Sequence, residues 1–407
     1  MCPYRNKYRN CGASGISESA GQGYSTSMHL TMKRSTTRSV MLNNHPVQRD
    51  QSTRERVSDR TFPSIFQAWN AAEIQGEEKW TSVARHDIVF HAPDFFGLRW
   101  NQRFPGLATS FSPESIAAAQ SIRRRLIERN PNIVLLAELR YRDAHRSHLP
   151  DGHPWWMTKN GKPVIGWEEG GYFLIDYTQA ALRDQIAKQA KALINTGVVD
   201  GIMLDWWDDD DARISLLQNI RKAIGNDGLI LVNANDRKVP RSAKLINGLF
   251  MECYKTASPD DWKRTTETLV WAEANVRQPR INCLETWYQN SRRDAALMRA
   301  TTTLALTMSD GYCLFSDPNP LPTPDHLHDW YPFWDCELGK PLEKGRSMRD
   351  GSFQRRFTNG LVVHNPPGNR QVDIVIDWPS KAVSTGALGK RFTVSPGDGD
   401  IFMRTSR

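Results

Sequence analysis

Residues 199–208 read VDGIMLDWWD, and this stretch decides the fold. Asp200 and Gly201 predict a turn, the apolar residues 202–204 predict a short buried strand, and Asp205 follows at the strand's end. Strands that are apolar on both faces are typical of parallel sheets covered by helices. The stretch therefore predicts an α/β protein in which a carboxylate emerges at the carboxyl end of a parallel strand.

Seven further apolar runs of similar length accompany this one. The eight predicted strands are residues 87–91, 133–138, 172–176, 201–205, 229–233, 248–252, 281–285 and 312–316. Stretches of helical period lie between them, for example residues 179–195, 212–224 and 292–306. Eight strands alternating with helices over roughly 250 residues predict a (β/α)₈ TIM barrel. A doubly wound open sheet is the alternative, but the first predicted strand is followed by HAPDFFG instead of a Gly-rich phosphate turn.

The chain divides into three parts by composition. Residues 1–60 are rich in Ser, Thr, Arg and Asn without apolar periodicity, which predicts a disordered basic tail. Residues 61–344 hold the predicted barrel. From residue 345 to 407, short runs separated by Gly, Pro and Asn predict a small antiparallel β domain packed on the barrel.

The net charge of +8 lies mostly in the tail, since residues 1–60 carry +6 and residues 61–407 only +2. A nearly neutral body argues against a nucleic-acid partner. No run approaches the ~20 apolar residues of a membrane helix, so no membrane partner is expected either. The tail lacks the apolar core of a signal peptide, which predicts a cytoplasmic protein. A start other than Met1 would leave secretion or a periplasmic location open, and no oligomeric state is predicted.

Neither a metal site nor a cofactor is predicted. Cys283 and Cys313 lie inside predicted strands and Cys253 directly follows one, so buried thiols are expected, and no CxxC pair occurs. Three histidines crowd residues 145–153 without the spacing of a zinc motif. The acidic run 208–211 lacks the alternation of an EF-hand and is expected to cap a helix.

Polar or acidic side chains end six of the eight predicted strands. These are His91, Glu138, Asp176, Asp205, Glu252 and Glu285. Barrel enzymes place their active sites at the carboxyl ends of the strands. Five carboxylates on one rim repel one another, so such a cluster favours a catalytic role over a stabilising one.

Two motifs carry a resemblance to known families. VDGIMLDWWD at 199–208 resembles the VDGIxLDxxD fourth strand of several glycoside hydrolase families, including the α-galactosidase superfamily and the barrel enzymes that cleave galactosamine polymers. In those families the strand-end Asp is commonly the nucleophile, which implies that role for Asp205. The second match, INGLFMECY at 246–254, implies an acid/base role for Glu252.

Over residues 85–405 the chain is most similar to a bacterial group named hypothetical glycosyl hydrolase family fifteen. That group has a barrel followed by a β domain, and NGLVVHNP at 359–366 resembles one of its later strands. The resemblance implies a glycosidase that acts on carbohydrate.

Glycosidic cleavage itself requires two carboxyl groups at the bond. One protonates the leaving oxygen, and the other attacks the anomeric carbon or activates water. Asp205 with Glu252 is the first predicted pair, and Asp205 with Glu285 is the second, because many retaining barrel enzymes use the fourth and seventh strands. For Glu285 a buried ion pair with Arg140 or Arg280 is the alternative.

Side chains near the predicted strand ends are expected to contact the sugar. They are His91, Asp94, Trp100, Glu138, Asp176, Tyr177, Trp206, Trp207, Asn233, Asn235, Tyr254 and Trp287. An indole offers a flat face to the C–H groups of a sugar and one hydrogen-bond donor. Ordinary loop packing is the alternative for any single Trp.

A retaining glycoside hydrolase is therefore the leading hypothesis. A barrel that binds carbohydrate without cleaving it is the second. A metal-dependent hydrolase or lyase, using His91 and the histidines of residues 145–153, is the third.

Overall fold

The computed structural model describes residues 51–289, 291–318 and 325–405. Most of the predicted disordered tail lies outside these residues. Its last part does not: helix α1 spans Thr53–Asp59 and begins with a capping box formed by Ser52 and Glu55. Arg56 of α1 is buried against Asp200, so residues 53–59 belong to the folded barrel, contrary to the expected boundary at residue 60.

Eight parallel strands form the barrel. They are β1 (Phe66–Ala68), β2 (Ile88–His91), β3 (Val134–Glu138), β4 (Gly201–Leu204), β5 (Leu229–Asn233), β6 (Gly248–Cys253), β7 (Cys283–Trp287) and β8 (Tyr312–Ser316). They neighbour one another in chain order. A parallel bridge between Ile65 and Cys313 brings the last strand beside the first, so the sheet is a nearly closed TIM barrel, as predicted.

One predicted barrel strand is wrong and one was missed. Tyr172–Leu174 pairs antiparallel with Asp143–His145 in the long loop after β3, and its side chains are only half-buried. The true first strand, β1, is three residues long and carries the polar Gln67 at its centre. Because the two errors offset each other, β4 to β8 keep their predicted ordinal positions.

Helices cover the outside of the barrel. After α1 they are α2 (Lys79–Ala84), α3 (Pro113–Arg129), α4 (Ala180–Asn195), α5 (Asp211–Ile224), α6 (Pro259–Asn275) and α7 (Ala295–Met308). Asp210 caps α5 by accepting a hydrogen bond from the Arg213 amide at 2.8 Å, the role expected for the acidic run. Within the described residues, no helix combines the length and apolarity that crossing a membrane requires.

Three phenylalanines fill the inside of the barrel. The rings of Phe66, Phe90 and Phe250 lie 5.1 to 6.0 Å apart and are fully buried. Trp69 packs edge-on against Phe90 at 5.1 Å. This aromatic layer fills the interior, and a group of polar side chains converges above it, at the carboxyl ends of the strands.

A six-stranded sheet follows the barrel. Its strands are β9 (Arg346–Ser347), β10 (Phe353–Phe357), β11 (Gly360–Asn365), β12 (Val372–Ala382), β13 (Leu388–Val394) and β14 (Asp398–Arg404). All neighbours are antiparallel, in the order β9-β10-β11-β14-β12-β13. The predicted antiparallel β domain is confirmed.

Helix α7 lies between the barrel and this sheet. Thr303 of α7 is fully buried and lies 3.2 Å from His364 of β11. At Gly399 of β14, an added Cβ would lie 1.9 Å from the Thr303 hydroxyl, so only glycine allows this approach. Arg299 and Asp398 form a two-pronged ion pair across the same boundary at 2.8 and 2.6 Å. The sheet and the barrel therefore share one interface built on α7.

Candidate active site

A cavity of about 550 Å³ opens at the carboxyl ends of the strands. Nine predicted site residues line it: His91, Glu138, Asp205, Trp206, Asn233, Asn235, Glu252, Tyr254 and Trp287. Nine others line it as well: Trp69, Asn70, Ala92, Arg140, Trp167, Glu169, Tyr172, Asp325 and His326. The cavity lies where a barrel enzyme carries its active site.

Positive φ angles concentrate around this cavity. Five described residues other than glycine have φ above zero, and four of them line the cavity: Trp69 (49°), Trp206 (53°), Asn235 (53°) and His326 (58°). Such backbone costs free energy and persists where the surrounding structure holds it, which is common at functional sites. The surrounding structure thus holds the backbone at the rim of the cavity in one conformation.

Asn233 joins Asp205 to Glu252. Leu204 is level with Val232 in the β4–β5 register, so Asp205 comes level with Asn233 at the strand ends. The Asn233 Nδ2 donates one hydrogen bond to Asp205 Oδ1 and one to Glu252 Oε2, both of 2.8 Å. Its Oδ1 accepts from the Asn235 amide at 3.1 Å, which fixes the orientation of the Asn233 side chain. The first predicted pair is therefore brought together by one amide.

The Glu252 side chain is largely shielded from solvent. It is 16% exposed. Burial raises the pKa of Glu252 to about 8, with the charges of Glu285 and Asp205 adding to the rise and His326 opposing it. The Glu252 carboxyl therefore holds its proton at neutral pH.

Glu285 lies beneath the cavity instead of lining it. It is fully buried, accepts a 2.5 Å hydrogen bond from the Ser316 hydroxyl, and lies 2.8 Å from His326 Nδ1. Burial alone would lower the pKa of His326, but Glu285 and then Glu252 raise it to about 10. Glu285 thus pairs with a buried histidine, and Arg140 pairs with Glu138 instead.

Glu252, Glu285 and His326 are also the one described group whose ligand atoms would suit a metal ion, lying within 4.8 Å of one another. The hydrogen bond between His326 and Glu285 already accounts for their close approach. The histidines of residues 145–153 form no such group among the described residues. His91 stacks on Phe95 with ring centroids 4.1 Å apart, and burial lowers the pKa of His91 to about 4.

Glu138 is a second protonatable group at the cavity wall. Its Oε2 accepts from Trp69 Nε1 at 2.9 Å and lies 3.1 Å from the Arg140 guanidinium. Its Oε1 has no hydrogen-bond partner among the described residues. Burial raises the pKa of Glu138 to about 7, against the effect of Arg140.

Trp207 and Asp176 are placed away from the cavity. Trp207 is fully buried and donates to the Ser242 hydroxyl at 2.9 Å, so it cannot touch a ligand in the cavity. Asp176 follows the strand that proved not to belong to the barrel. Its carboxylate accepts from Thr178 at 2.5 Å and from Gln179 at 3.1 Å, at the start of α4. The structure therefore contradicts the expectation that these two residues contact the substrate.

Three further predicted contacts lie elsewhere. The Tyr177 hydroxyl accepts a 2.7 Å hydrogen bond from Arg213 and donates to Asp210 at 3.3 Å, and Tyr177 does not line the cavity. Asp94 and Trp100 line a neighbouring cavity of about 410 Å³. Tyr177 is therefore corrected to a supporting role.

Several lining residues were not foreseen. Trp69 follows β1 directly, so the strand-end rule would have found it had that short strand been recognised. Arg140 lies two residues beyond β3, so the same strand-end rule could have found it. His326 lies ten residues beyond the end of β8, and no local pattern marks it, because its contact with Glu285 arises only when the barrel closes.

Residues 210–361 match the model of hypothetical glycosyl hydrolase family 15. This match confirms the resemblance seen in the sequence. The matched stretch runs from the cap of α5 into β11 and includes Glu252, Glu285 and His326, whereas Asp205 precedes it.

Solved structures similar to this chain include three α-amylases. A noncanonic maltogenic α-amylase from Thermotoga neapolitana is 12% identical, with 86% of this chain and 99% of that chain covered and a TM-score of 0.51. The α-amylase of Lactobacillus plantarum is 11% identical, covering 87% and 100%, also at 0.51. That of Malbranchea cinnamomea is 10% identical, covering 87% and 98%, at 0.50. At these identities the likenesses show the fold of the chain alone. No curated protein matches the chain.

Proposed function

We propose that this chain is a glycoside hydrolase that uses Asp205 and Glu252 and retains the configuration of the anomeric carbon. The observation that carries the proposal is the shared amide of Asn233. Both acceptor oxygens lie 2.8 Å from one nitrogen, so they can be no more than twice that distance, 5.6 Å, apart. The family match and the barrel fold support the reaction class.

The spacing of the two carboxyl groups supports retention. Retaining glycosidases hold their carboxyl groups about 5–5.5 Å apart, whereas inverting enzymes need about 6.5–9.5 Å to admit a water between them. The 5.6 Å bound applies to the two oxygens that Asn233 joins, and so close a pair favours the shorter spacing of a retaining enzyme. An attack by Asp205 on the sugar itself therefore fits the space better than an attack by an interposed water.

The protonation of Glu252 supports its role as the acid and that of Asp205 as the nucleophile. A carboxyl that keeps its proton at neutral pH can donate it to the leaving glycosidic oxygen. As that C–O bond breaks, Asp205 forms an ester bond to the anomeric carbon. Water then adds to that carbon, gives one proton back to Glu252 and releases Asp205. The net change is hydrolysis of one glycosidic bond.

Polar atoms without partners support a sugar as the ligand. Glu138 Oε1, His91 Nδ1 and Trp287 Nε1 belong to residues that line the cavity, and these buried atoms have no hydrogen-bond partner among the described residues. Buried polar atoms in folded proteins are almost always paired. Sugar hydroxyls both donate and accept, so a carbohydrate can satisfy an acceptor and a donor in one cavity.

Two exposed aromatic rings add apolar surface at the rim. Trp206 is 49% exposed and Tyr254 46% exposed, and the Tyr254 ring lies 5.7 Å from that of Trp287. Exposed rings beside polar groups suit the mixed faces of a pyranose.

The test compares the full chain with its Asp205→Asn and Glu252→Gln variants on a panel of aryl glycosides and oligosaccharides. Each variant is expected to lose at least about a thousandfold in kcat, because one of the two steps lacks its carboxyl group. Asp208→Asn is the matched control, since Asp208 is exposed, and its carboxylate forms an ion pair with Arg237 and accepts from the Asp209 amide at 2.8 Å. Proton NMR of the first-formed product should show the substrate's anomeric configuration.

Four results would contradict the proposal. Full activity in either variant would remove that residue from the chemistry, and an inverted product would exclude Asp205 as nucleophile. Glycan binding with no turnover by the unmodified chain would instead favour the carbohydrate-binding barrel. Activity lost on chelation and restored by a divalent ion would favour the metal-dependent alternative built on Glu252, Glu285 and His326.

A further inference from the structure

A second cavity, of about 410 Å³, adjoins the first. The two share four lining residues: Ala92, Glu138, Arg140 and Tyr172. Glu138 and Arg140 thus form a common wall between two lobes of one depression, with Asp205 and Glu252 in the first lobe only. The size of the second lobe lies within the range of small-molecule sites.

The second lobe has an aromatic platform. Trp100 lines it, and the Trp100 ring is stacked on that of Phe111 with centroids 3.9 Å apart and planes 25° apart. A backbone bridge between Trp100 and Phe111 ties the two residues together. The indole is therefore held in place before any ligand arrives, which lowers the entropic cost of binding.

Two buried glutamines of α4 hold the loop that carries Pro105, one of the residues that line this lobe. Gln185 donates to the carbonyl oxygens of Gly106 at 3.3 Å and Ala108 at 2.9 Å, and Gln189 donates to those of Pro105 at 2.7 Å and Ala108 at 3.2 Å. Both glutamines are less than 10% exposed. Buried amides that bond loop carbonyls fix the shape of the loop.

Close packing completes this wall. A Cβ added at Gly106 would lie 2.7 Å from the side chains of both His148 and Leu149, so the two loops can touch only at a glycine. The second lobe is thus a built cavity with a rigid wall, a fixed indole and one unpartnered carboxylate oxygen, that of Glu138.

We infer that the second lobe binds a further pyranose residue of an oligosaccharide whose scissile bond lies over Asp205 and Glu252. This inference rests on the proposed function. The substrate class is then a sugar chain instead of a monosaccharide glycoside, with Trp100 stacking on the added residue and Glu138 accepting from its hydroxyl groups.

The experiment uses the full-length Asp205→Asn variant, which should bind without turnover. Calorimetry would measure its affinity for glucose, galactose, mannose and N-acetylglucosamine, and for their α- and β-linked oligomers of two to six residues. We expect one series to bind more tightly as it lengthens. Adding Trp100→Ala should weaken the affinity for the longer oligosaccharides roughly tenfold. The affinity for the shortest oligosaccharide that binds should not change. Trp100→Phe should restore part of the lost affinity.

Trp271→Ala in the same background is the matched control, since Trp271 is half-buried on α6 and lines neither cavity. The inference that the second lobe binds sugar would be overturned if affinity did not depend on oligosaccharide length. It would also be overturned if Trp100→Ala left that dependence unchanged. Neither result would contradict the proposed function. If the Asp205→Asn variant binds nothing, the same comparison is made through kcat/KM of the unmodified chain. If that chain also hydrolyses none of these sugars, both proposals fail.

Discussion

At the scale of single residues, Asn233 fixes the position of the Asp205 carboxylate relative to the Glu252 carboxyl group. One side chain uses both its amide hydrogens on Asp205 and Glu252, and its oxygen is held by the Asn235 backbone. We predict that Asn233→Leu, which keeps the volume but removes the donors, lowers kcat by about 10²-fold or more, the loss typical for removing a preorganised donor. Steady-state kinetics on the best glycoside of the panel would measure it.

Asn219→Leu is the control for that change, because Asn219 is half-buried on α5, lines neither cavity, and donates a 2.8 Å hydrogen bond to Asp184. An Asn233→Leu enzyme with unchanged kcat would show that the two carboxylates are positioned by other contacts.

The pKa of Glu252 sets a pH dependence with a definite sign. Because its folded pKa is raised to about 8, the acid form that donates the proton is present below that pH and is lost above it. We predict that kcat/KM falls tenfold per pH unit well above pH 8. A pH–rate profile on an aryl glycoside with a poor leaving group would record this limb, since such a substrate needs the acid.

An activated leaving group that departs without a proton should show a much weaker alkaline limb. If the limb persists unchanged with the activated substrate, Glu252 is not the acid, and Glu138, whose pKa is about 7, becomes the next residue to test.

The sequence indicated most of this site residue by residue, because a carboxylate after an apolar strand is a local pattern. It could not separate Trp206 from Trp207. These neighbours differ because Trp206 turns outward with φ of 53° while Trp207 packs in the core. It also could not find His326, whose partner Glu285 lies 41 residues away in the chain.

At the scale of elements, helix α1 is joined to the base of the barrel by a buried charge cluster. Arg56 of α1 and Arg123 of α3 both bind Asp200, which also accepts from the Leu135 amide at 2.9 Å. Asp200 is the residue that the sequence placed at the turn into β4. This cluster explains why residues beyond the expected boundary of the tail are folded.

We predict that Arg56→Met lowers the free energy of unfolding by about 1.5–3 kcal/mol, the usual contribution of hydrogen bonds to a charged group, because Arg123 still pairs with Asp200. Urea unfolding followed by fluorescence would measure it. Arg54→Met is the control, because Arg54 is exposed on the same helix, and it should change stability by less than ~0.5 kcal/mol. Equal effects of the two substitutions would show that the Asp200 cluster does not hold α1.

Whether a strand was predicted correctly depended on both the burial and the length of its apolar run. Seven predicted runs are buried barrel strands, and their apolar residues gave a clear signal. The run at 172–176 is similarly apolar, but it lies half-buried in a loop hairpin. The missed strand β1 is fully buried yet only three residues long, with Gln67 at its centre. Its membership in the barrel depends on pairing with β2 and on the bridge to β8, which no local window contains.

At the scale of the whole molecule, the barrel and the terminal sheet are expected to unfold together. Phe357, Val362 and Ile401 of the sheet belong to the same buried apolar cluster as the barrel strands. Arg355 of β10 also bonds the carbonyl oxygens of Leu306 and Ser309 at the end of α7. An interface this buried couples the two parts.

We predict a single heat-capacity peak for the full chain in differential scanning calorimetry. Gly399→Ala should shift that whole peak to lower temperature, because the added methyl group has no room beside Thr303. Gly386→Ala is the control for the loss of a glycine, since a Cβ there meets only the end of the Lys381 side chain at 3.9 Å, although its φ of 75° adds backbone strain. Two separate peaks, with only one moved by Gly399→Ala, would contradict the prediction.

The position of α7 between barrel and sheet also constrains the order of events during synthesis. Strand β14, which packs against α7 through Gly399 and Asp398, is made about ninety residues after that helix. Until β14 leaves the ribosome, one side of α7 faces water, with buried threonines and apolar residues uncovered. The face of α7 that β14 covers is therefore the last part of this interface to be buried, and its exposed apolar surface favours aggregation until Asp398 and Gly399 have been made.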